Sequence, residues 1–145
     1  MPDRFDSFSG LLRAALGDRL ASPEGQGLDL FAEDILFEFP YAFEGIPQRL
    51  EGRRAFADHL ARVGSLLEFD HFELEAVHPA GDTVVVEFSC RGRGARTGTA
   101  YDQAYISVIT LQDGKIVRYR DYWNPLVTLS ALGGHDAAVA AMGGT

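Results

Sequence analysis

The chain has 145 residues, of which 46% are hydrophobic and 23% charged, with a formal net charge of −8 and one cysteine. That length holds one domain with one core, and that composition excludes disordered and fibrous classes. The acidic balance argues against nucleic acid and anionic membranes as partners; no stretch reaches the roughly 18 apolar residues of a bilayer span, and a lone Cys90 suits a cytoplasmic location.

Ser7 is placed to cap a helix whose apolar residues Phe8, Leu11, Leu12, Ala15 and Leu16 follow helical spacing, ending near Gly17. Ser22-Pro23-Glu24 has the form of a second helix start, continued by Leu28, Phe31 and Ala32, with Gly25 and Gly27 counting against it. Ile35 to Tyr41 is rich in strand formers and stops at a proline loop. A third helix follows Gly52, with Phe56, Leu60, Val63 and Leu67 in one stripe. Strands are then expected near Phe69–His78, Thr83–Arg91, Thr99–Leu111 and Lys115–Trp123, with Gly81-Asp82 and Asp113-Gly114 as hairpin turns. Beyond Pro125 a short apolar helix runs to Leu132. A domain over residues 1–133 and a flexible tail over 134–145 are expected.

Helices first and antiparallel hairpins afterwards define an α+β fold. The expected form is a cone-shaped, curved, mostly antiparallel sheet, packed by three helices of the N-terminal half around a single pocket. Arg91 to Arg96 places three arginines in a glycine-rich stretch, either an anion-contacting loop or a mobile strand connection.

The last hairpin carries the most informative residue. A two-residue turn at Asp113-Gly114 sets Leu111 opposite Ile116, Val108 opposite Tyr119 and Ile106 opposite Asp121. One face then carries Ala104, Ile106, Val108, Val117, Tyr119, Asp121 and Trp123, and the other Gln103, Tyr105, Ser107, Arg118, Arg120 and Tyr122. The first is core-facing on composition, which leaves the Asp121 carboxyl among apolar neighbours. Burial there raises its pKa toward a value useful for proton transfer; a purely structural carboxylate held by a hydroxyl or backbone N–H is the other reading. His59 borders the stripe of the third helix and points toward the sheet, so a carboxyl and an imidazole converge on one cavity. The pocket is expected to be lined by Phe39, Phe56, Val63, Ala104, Ile106, Tyr119 and Trp123. Glu38 and Glu87 are expected to face away from it. His71 and His78 fall on opposite strand faces, and no metal-ligand or phosphate-cradling motif stands out.

With these residues in view, the chain resembles the SnoaL-like branch of the nuclear-transport-factor-2-like superfamily, which includes ketosteroid isomerases and polyketide cyclases. The resemblance runs from about Leu28 to Gly133. It is carried by Asp113-Gly114-Lys115-Ile116-Val117-Arg118-Tyr119-Arg120-Asp121-Tyr122-Trp123-Asn124-Pro125-Leu126 and by Leu129-Ser130-Ala131-Leu132-Gly133. That ending, together with Gly52 to His59 and Val86 to Gly92, looks most like the phenazine-biosynthesis A/B proteins. The resemblance implies that the family's acid–base glutamate falls on Asp121, one methylene shorter, and its pocket histidine on His59. It also implies dimers through the outer sheet face, where Tyr105 and Tyr122 are expected.

Two functions follow as expectations. The first is a cofactor-independent, metal-free acid–base enzyme of the isomerase, cyclase or condensation type, acting on an apolar cyclic or polyketide-like carbonyl compound. Asp121 would be its base, with His59 or a tyrosine hydroxyl the donor to the oxyanion. The second is a non-catalytic binder or accessory subunit for a small apolar or aromatic metabolite. Water activation by Asp121 is a third and weaker possibility.

Overall fold

Helices and short strands fill the first part of the chain, four long strands follow, and the first two helices turn their apolar side chains onto the sheet. The computed structural model describes residues 3–142 apart from Pro23 and Gln26. In chain order the elements are β1 (Asp3–Phe5), α1 (Phe8–Leu16), β2 (Phe31–Glu38), β3 (Arg49–Glu51), α2 (Arg53–Leu66), β4 (Leu67–Ala80), β5 (Thr83–Gly94), β6 (Gln103–Gln112), β7 (Lys115–Trp123), α3 (Pro125–Leu132) and α4 (His135–Met142). One seven-stranded sheet runs in the order β1-β4-β5-β6-β7-β2-β3. Its pairings are antiparallel except β2 with β7, so the α+β class and the mostly antiparallel sheet hold.

Ser7 caps α1 by accepting from the Gly10 N–H at 3.0 Å, and Leu11, Leu12, Ala15 and Leu16 go into the core. Phe8 of α1 meets Phe72 and Phe88 of the sheet, while Phe56 of α2 packs on Phe31 and Phe37 at 4.7 Å. These aromatic contacts fix the two helices over the concave face. The segment expected to be a second helix instead makes a short 3-10 turn over Gly27–Leu30, and Phe31 enters β2 by pairing with Ile116. Gly27 sits at φ 54, where a helix cannot continue, and Pro23 of the expected start lies outside the described residues.

The hairpin turn at Asp113-Gly114 has φ 53 and φ 79, the conformation of a type I′ turn. A Cβ on Gly114 would also lie 2.5 Å from the Ala21 backbone N, so only glycine fits. The expected register breaks just beyond the turn. Leu111 pairs with Ile116 but Thr110 pairs with Arg118, so Val117 is an extra residue in β7. Val108 is therefore opposite Arg120 and not Tyr119, and Ser107, not Ile106, is opposite Asp121.

The bulge leaves Tyr119, Asp121 and Trp123 facing inward and reverses the faces of β6. Gln103, Tyr105, Ser107 and Ile109 point in, while Ala104, Ile106 and Val108 point out; Ile106 is 47% exposed. The tail expected to be flexible from residue 134 contains α4, with Ala138 and Met142 buried. An alanine-rich stretch has high helix propensity, and its small face packs where Val139 meets Gly45. Residues 143–145 of that tail lie outside the described residues.

Candidate active site

A cavity of about 180 Å³ opens between the concave sheet face and the helices. Phe37 enters from β2 and Phe39 from just beyond its end, Phe69 and Phe72 from β4, Phe88 from β5 and Trp123 from β7. From α2 come Phe56, His59, Val63 and, at the rim, Leu60, which is 40% exposed; α4 closes the other side with Met142. The Arg62 guanidinium donates to the Met142 carbonyl at 3.2 Å, tying the last turn of α4 to α2. The polar groups reaching this wall are the Asp121 carboxyl, the His59 imidazole, the Tyr101 and Tyr105 hydroxyls and Thr128.

Asp121 is half-buried as a residue, yet its Oδ1 is cut off from solvent and has no hydrogen-bond partner. Burial raises the carboxyl pKa from 3.8 to about 8, with the Ser107 hydroxyl across the strand pair pulling the other way. The Ser107 and Tyr119 hydroxyls share a hydrogen bond of 2.7 Å just behind it. Tyr119 itself is fully buried, its ring stacked on Phe37 at 4.4 Å, so it backs the cavity wall and holds Ser107 in place.

His59 rests its ring on Phe39 at 4.9 Å. Burial, and then the nearby Arg62 charge, lower its pKa from 6.5 to about 4, so the imidazole is neutral at neutral pH. It lines the same cavity as Asp121, and Asp121 is not among the causes of its shift.

Tyr105, which sequence reasoning placed on the outer face, lines the cavity, and Gln103, placed there with it, also points inward. Tyr105 stacks on Phe88 at 4.7 Å, and its hydroxyl lies 2.8 Å from that of Tyr101, so the pair shares one hydrogen bond. Burial holds both phenols protonated, Tyr101 at about 12 and Tyr105 well above the usual value. Cys90 donates its S–H toward the Tyr105 oxygen at 3.9 Å, and burial pushes its thiol up to about 11. Gln103 bridges β6 to the start of α3, donating to the Asn124 carbonyl at 3.0 Å and accepting from the Asn124 N–H at 2.9 Å. The signal that would have found them is on β5. Val84, Val86, Phe88 and Cys90 are plainly its inward set, and they pair with Ile109, Ser107, Tyr105 and Gln103.

Of the residues expected to line the pocket, Phe39, Phe56, Val63 and Trp123 do so, with Asp121 and His59. Tyr119 lies behind them, and Ala104 and Ile106 are turned away by the Val117 bulge. Glu38 is on the outer face, paired with Arg118 at 2.7 Å, and Glu87 meets His78 at 2.6 Å. The arginine stretch is engaged within the fold: Arg93 pairs with Asp70 and Glu68, Arg91 with Asp102, and Arg96 donates to the Leu132 carbonyl. Among the described residues no group of three or more His, Cys, Asp or Glu side chains is placed to hold a metal, and no helix is long and apolar enough to cross a membrane.

A curved sheet with helices on its concave face, closing over one aromatic cavity with a buried carboxyl on its last strand, defines an α+β small-ligand domain. Residues 24–119 match the SnoaL-like domain, and the chain belongs to that family. The match stops short of Asp121. The uncharacterized protein YesE of Bacillus subtilis is 41% identical over 91% of this chain and 91% of its own length. An uncharacterized PhzA/B-like protein of Pseudomonas aeruginosa is 38% identical over 80% of this chain and 83% of its own. A crystal structure of a Bacillus subtilis protein provisionally named an isomerase superposes with a TM-score of 0.74 at 42% identity, covering 87% of this chain and 92% of that one. More distant structures with NTF2-like and ketosteroid isomerase-like folds share the architecture alone.

Proposed function

We propose that the protein is a cofactor-independent acid–base enzyme that moves a proton on a small apolar carbonyl compound, with Asp121 as the proton-transfer group. The observation that carries this reading is the Asp121 carboxyl, set in an aromatic wall with a pKa of about 8. A base acts best when its pKa lies near the working pH, and burial brings this one there. Asp121 takes the proton from the carbon next to the carbonyl, and the electrons of that C–H bond move onto the carbonyl oxygen. The donors on the same cavity wall are the Tyr101–Tyr105 hydroxyl pair and the neutral imidazole of His59. Return of the proton at a different carbon is an isomerisation; attack of the enolate on a second carbonyl is a cyclisation or condensation. The provisional isomerase name of the Bacillus subtilis structure at 42% identity agrees with the first.

We further propose that the protein is a cytoplasmic homodimer joined through the outer sheet face, where Ile106, Tyr122 and Tyr41 give an apolar surface.

The test works whatever the final product is. A panel of one-ring ketones is incubated with protein in D2O, and exchange of the hydrogens next to the carbonyl is followed by NMR. The wild type is expected to catalyse exchange for at least one class, and Asp121→Asn to lose it by about 10²–10⁴-fold, the usual contribution of a general base. Exchange at equal rates in both proteins removes Asp121 from the chemistry. Binding without exchange in either points to a non-catalytic binder.

A further inference from the structure

We infer that the cavity is a receptor for one-ring apolar amines, held as ammonium ions with the nitrogen at the Asp121 carboxyl and the ring among the aromatic side chains. This rests on the acid–base reading in one respect: the ammonium N–H occupies the place where that reading puts the substrate's C–H.

Size sets the first limit. A cavity of about 180 Å³ is close to the ~150 Å³ engineered cavity that takes up benzene and below the ~300–1,000 Å³ of pockets for drug-sized ligands. One ring with a short substituent fills it.

Charge sets the second. No Lys or Arg is among the described residues lining the cavity, and His59 is neutral at neutral pH. The nearest cation on α2, Arg62, is occupied at the Met142 carbonyl. An anionic ligand would find no counter-charge there and would face the Asp121 carboxyl. A cationic ligand finds one. The Asp121 carboxylate has no cation beside it: the Ser107 hydroxyl is its one protein hydrogen-bond partner, and Oδ1 has none. The same wall carries Phe39, Phe88, Tyr105 and Trp123, aromatic rings that bury a ligand's apolar body and can attract a cation.

Binding also moves a proton. At pH 7 Asp121 carries a proton, and the free amine is an ammonium ion with a pKa near the ~10 of a lysine side chain. Pairing requires the carboxylate, so the carboxyl proton leaves to the buffer and no bond to carbon forms or breaks. With a carboxyl pKa of about 8, on the order of 0.9 proton is released per ligand at pH 7.

The experiment is isothermal titration of the full chain at pH 7 in two buffers of different ionisation enthalpy, with benzylamine, benzyl alcohol and benzoate as probes. Benzylamine is expected to bind the wild type at least about tenfold more tightly than benzyl alcohol, the equivalent of one cation–π contact or charged hydrogen bond. It should release close to one proton, whereas benzyl alcohol releases none and benzoate binds weakest. Asp121→Asn should lose about tenfold for benzylamine and keep benzyl alcohol. Equal wild-type affinities for amine and alcohol, binding of neither, or no proton release would each overturn the inference without recourse to a variant. Loss of ketone exchange in Asp121→Asn with no amine preference leaves the acid–base reading standing and sinks this one. Amine preference without exchange in any protein does the reverse.

Discussion

Replacing Asp121 by Asn tests the physical basis of the site independently of any substrate. The carboxyl pKa is about 8 in the fold against an ordinary 3.8, so the folded state binds a proton more tightly than the unfolded chain. A carboxyl shifted this way contributes stability that is complete below pH 3.8 and is lost as pH rises, until the group is ionised in both states above pH 8. Within that window each pH unit costs about 1.4 kcal/mol, which places the loss at pH 7 on the order of 4 kcal/mol. Asn has nearly the same shape and does not titrate. Its amide hydrogens meet the same sealed pocket that leaves Oδ1 without a partner, at a pH-independent cost of about 1–3 kcal/mol. The variant should therefore be close to wild type in stability at pH 5 and overtake it by about pH 6. Urea denaturation of both proteins at pH 6 and pH 9 measures this, and the difference between them should move by about 2–3 kcal/mol in favour of the variant. Comparing the proteins at matched pH cancels the titration of His59. A difference that stays flat within about 0.5 kcal/mol would mean that the carboxyl is solvated in solution, and Asp121 would then have no raised pKa with which to transfer protons.

His59 titrates with the opposite sign. Its pKa of about 4 in the fold lies below the ordinary 6.5, so its contribution is present above pH 6.5 and lost as pH falls through that window. His59→Phe should remove about 2–3 kcal/mol of the acid destabilisation between pH 7 and pH 4.5, read by denaturant midpoints at the two values. Tyr105→Phe should slow any ketone exchange found for the wild type by about 10²-fold, as loss of an oxyanion donor does, while costing about 1 kcal/mol of stability. An unchanged rate would assign the donor role to His59. Ile106→Glu on the outer face should convert a dimer to a monomer in size-exclusion chromatography with light scattering and leave exchange intact; no change in mass would remove that face as the interface.

The sequence displayed its helices and hairpins because these rest on local rules. Ser7 caps a helix wherever its side chain can reach the Gly10 N–H, and Asp113-Gly114 can turn with both residues at positive φ whatever lies around them. The 3-10 turn at Gly27–Leu30 was less legible, because Phe31 joins a strand only through its distant partner Ile116. The same holds for α4. Its alanines give propensity, but what fixes it is Arg62 and Gly45, which approach only in the folded chain.

In the site, Asp121 was visible and Tyr105 was not, and one residue accounts for the difference. Assigning faces by apolar content favours Ala104, Ile106 and Val108 over Gln103, Tyr105 and Ser107, and in a sheet with one dry core that choice is sound. Here the concave face carries polar groups around the cavity, Ser107 beside Asp121 and the Tyr101–Tyr105 pair, while the convex side of β6 is apolar. Val117 accounts for both. As an extra residue it lets Ile116 and Tyr119 both point inward and brings Ser107, not Ile106, against Asp121. Without the bulge, Asp121 would stand among aliphatic side chains with no hydroxyl near it, and Tyr101 and Tyr105 would not share their hydrogen bond over the cavity. The outward set that this leaves on β6, headed by the exposed Ile106, is then the apolar surface proposed for the dimer. One bulge thus gives β6 both a polar cavity side and an apolar outer side.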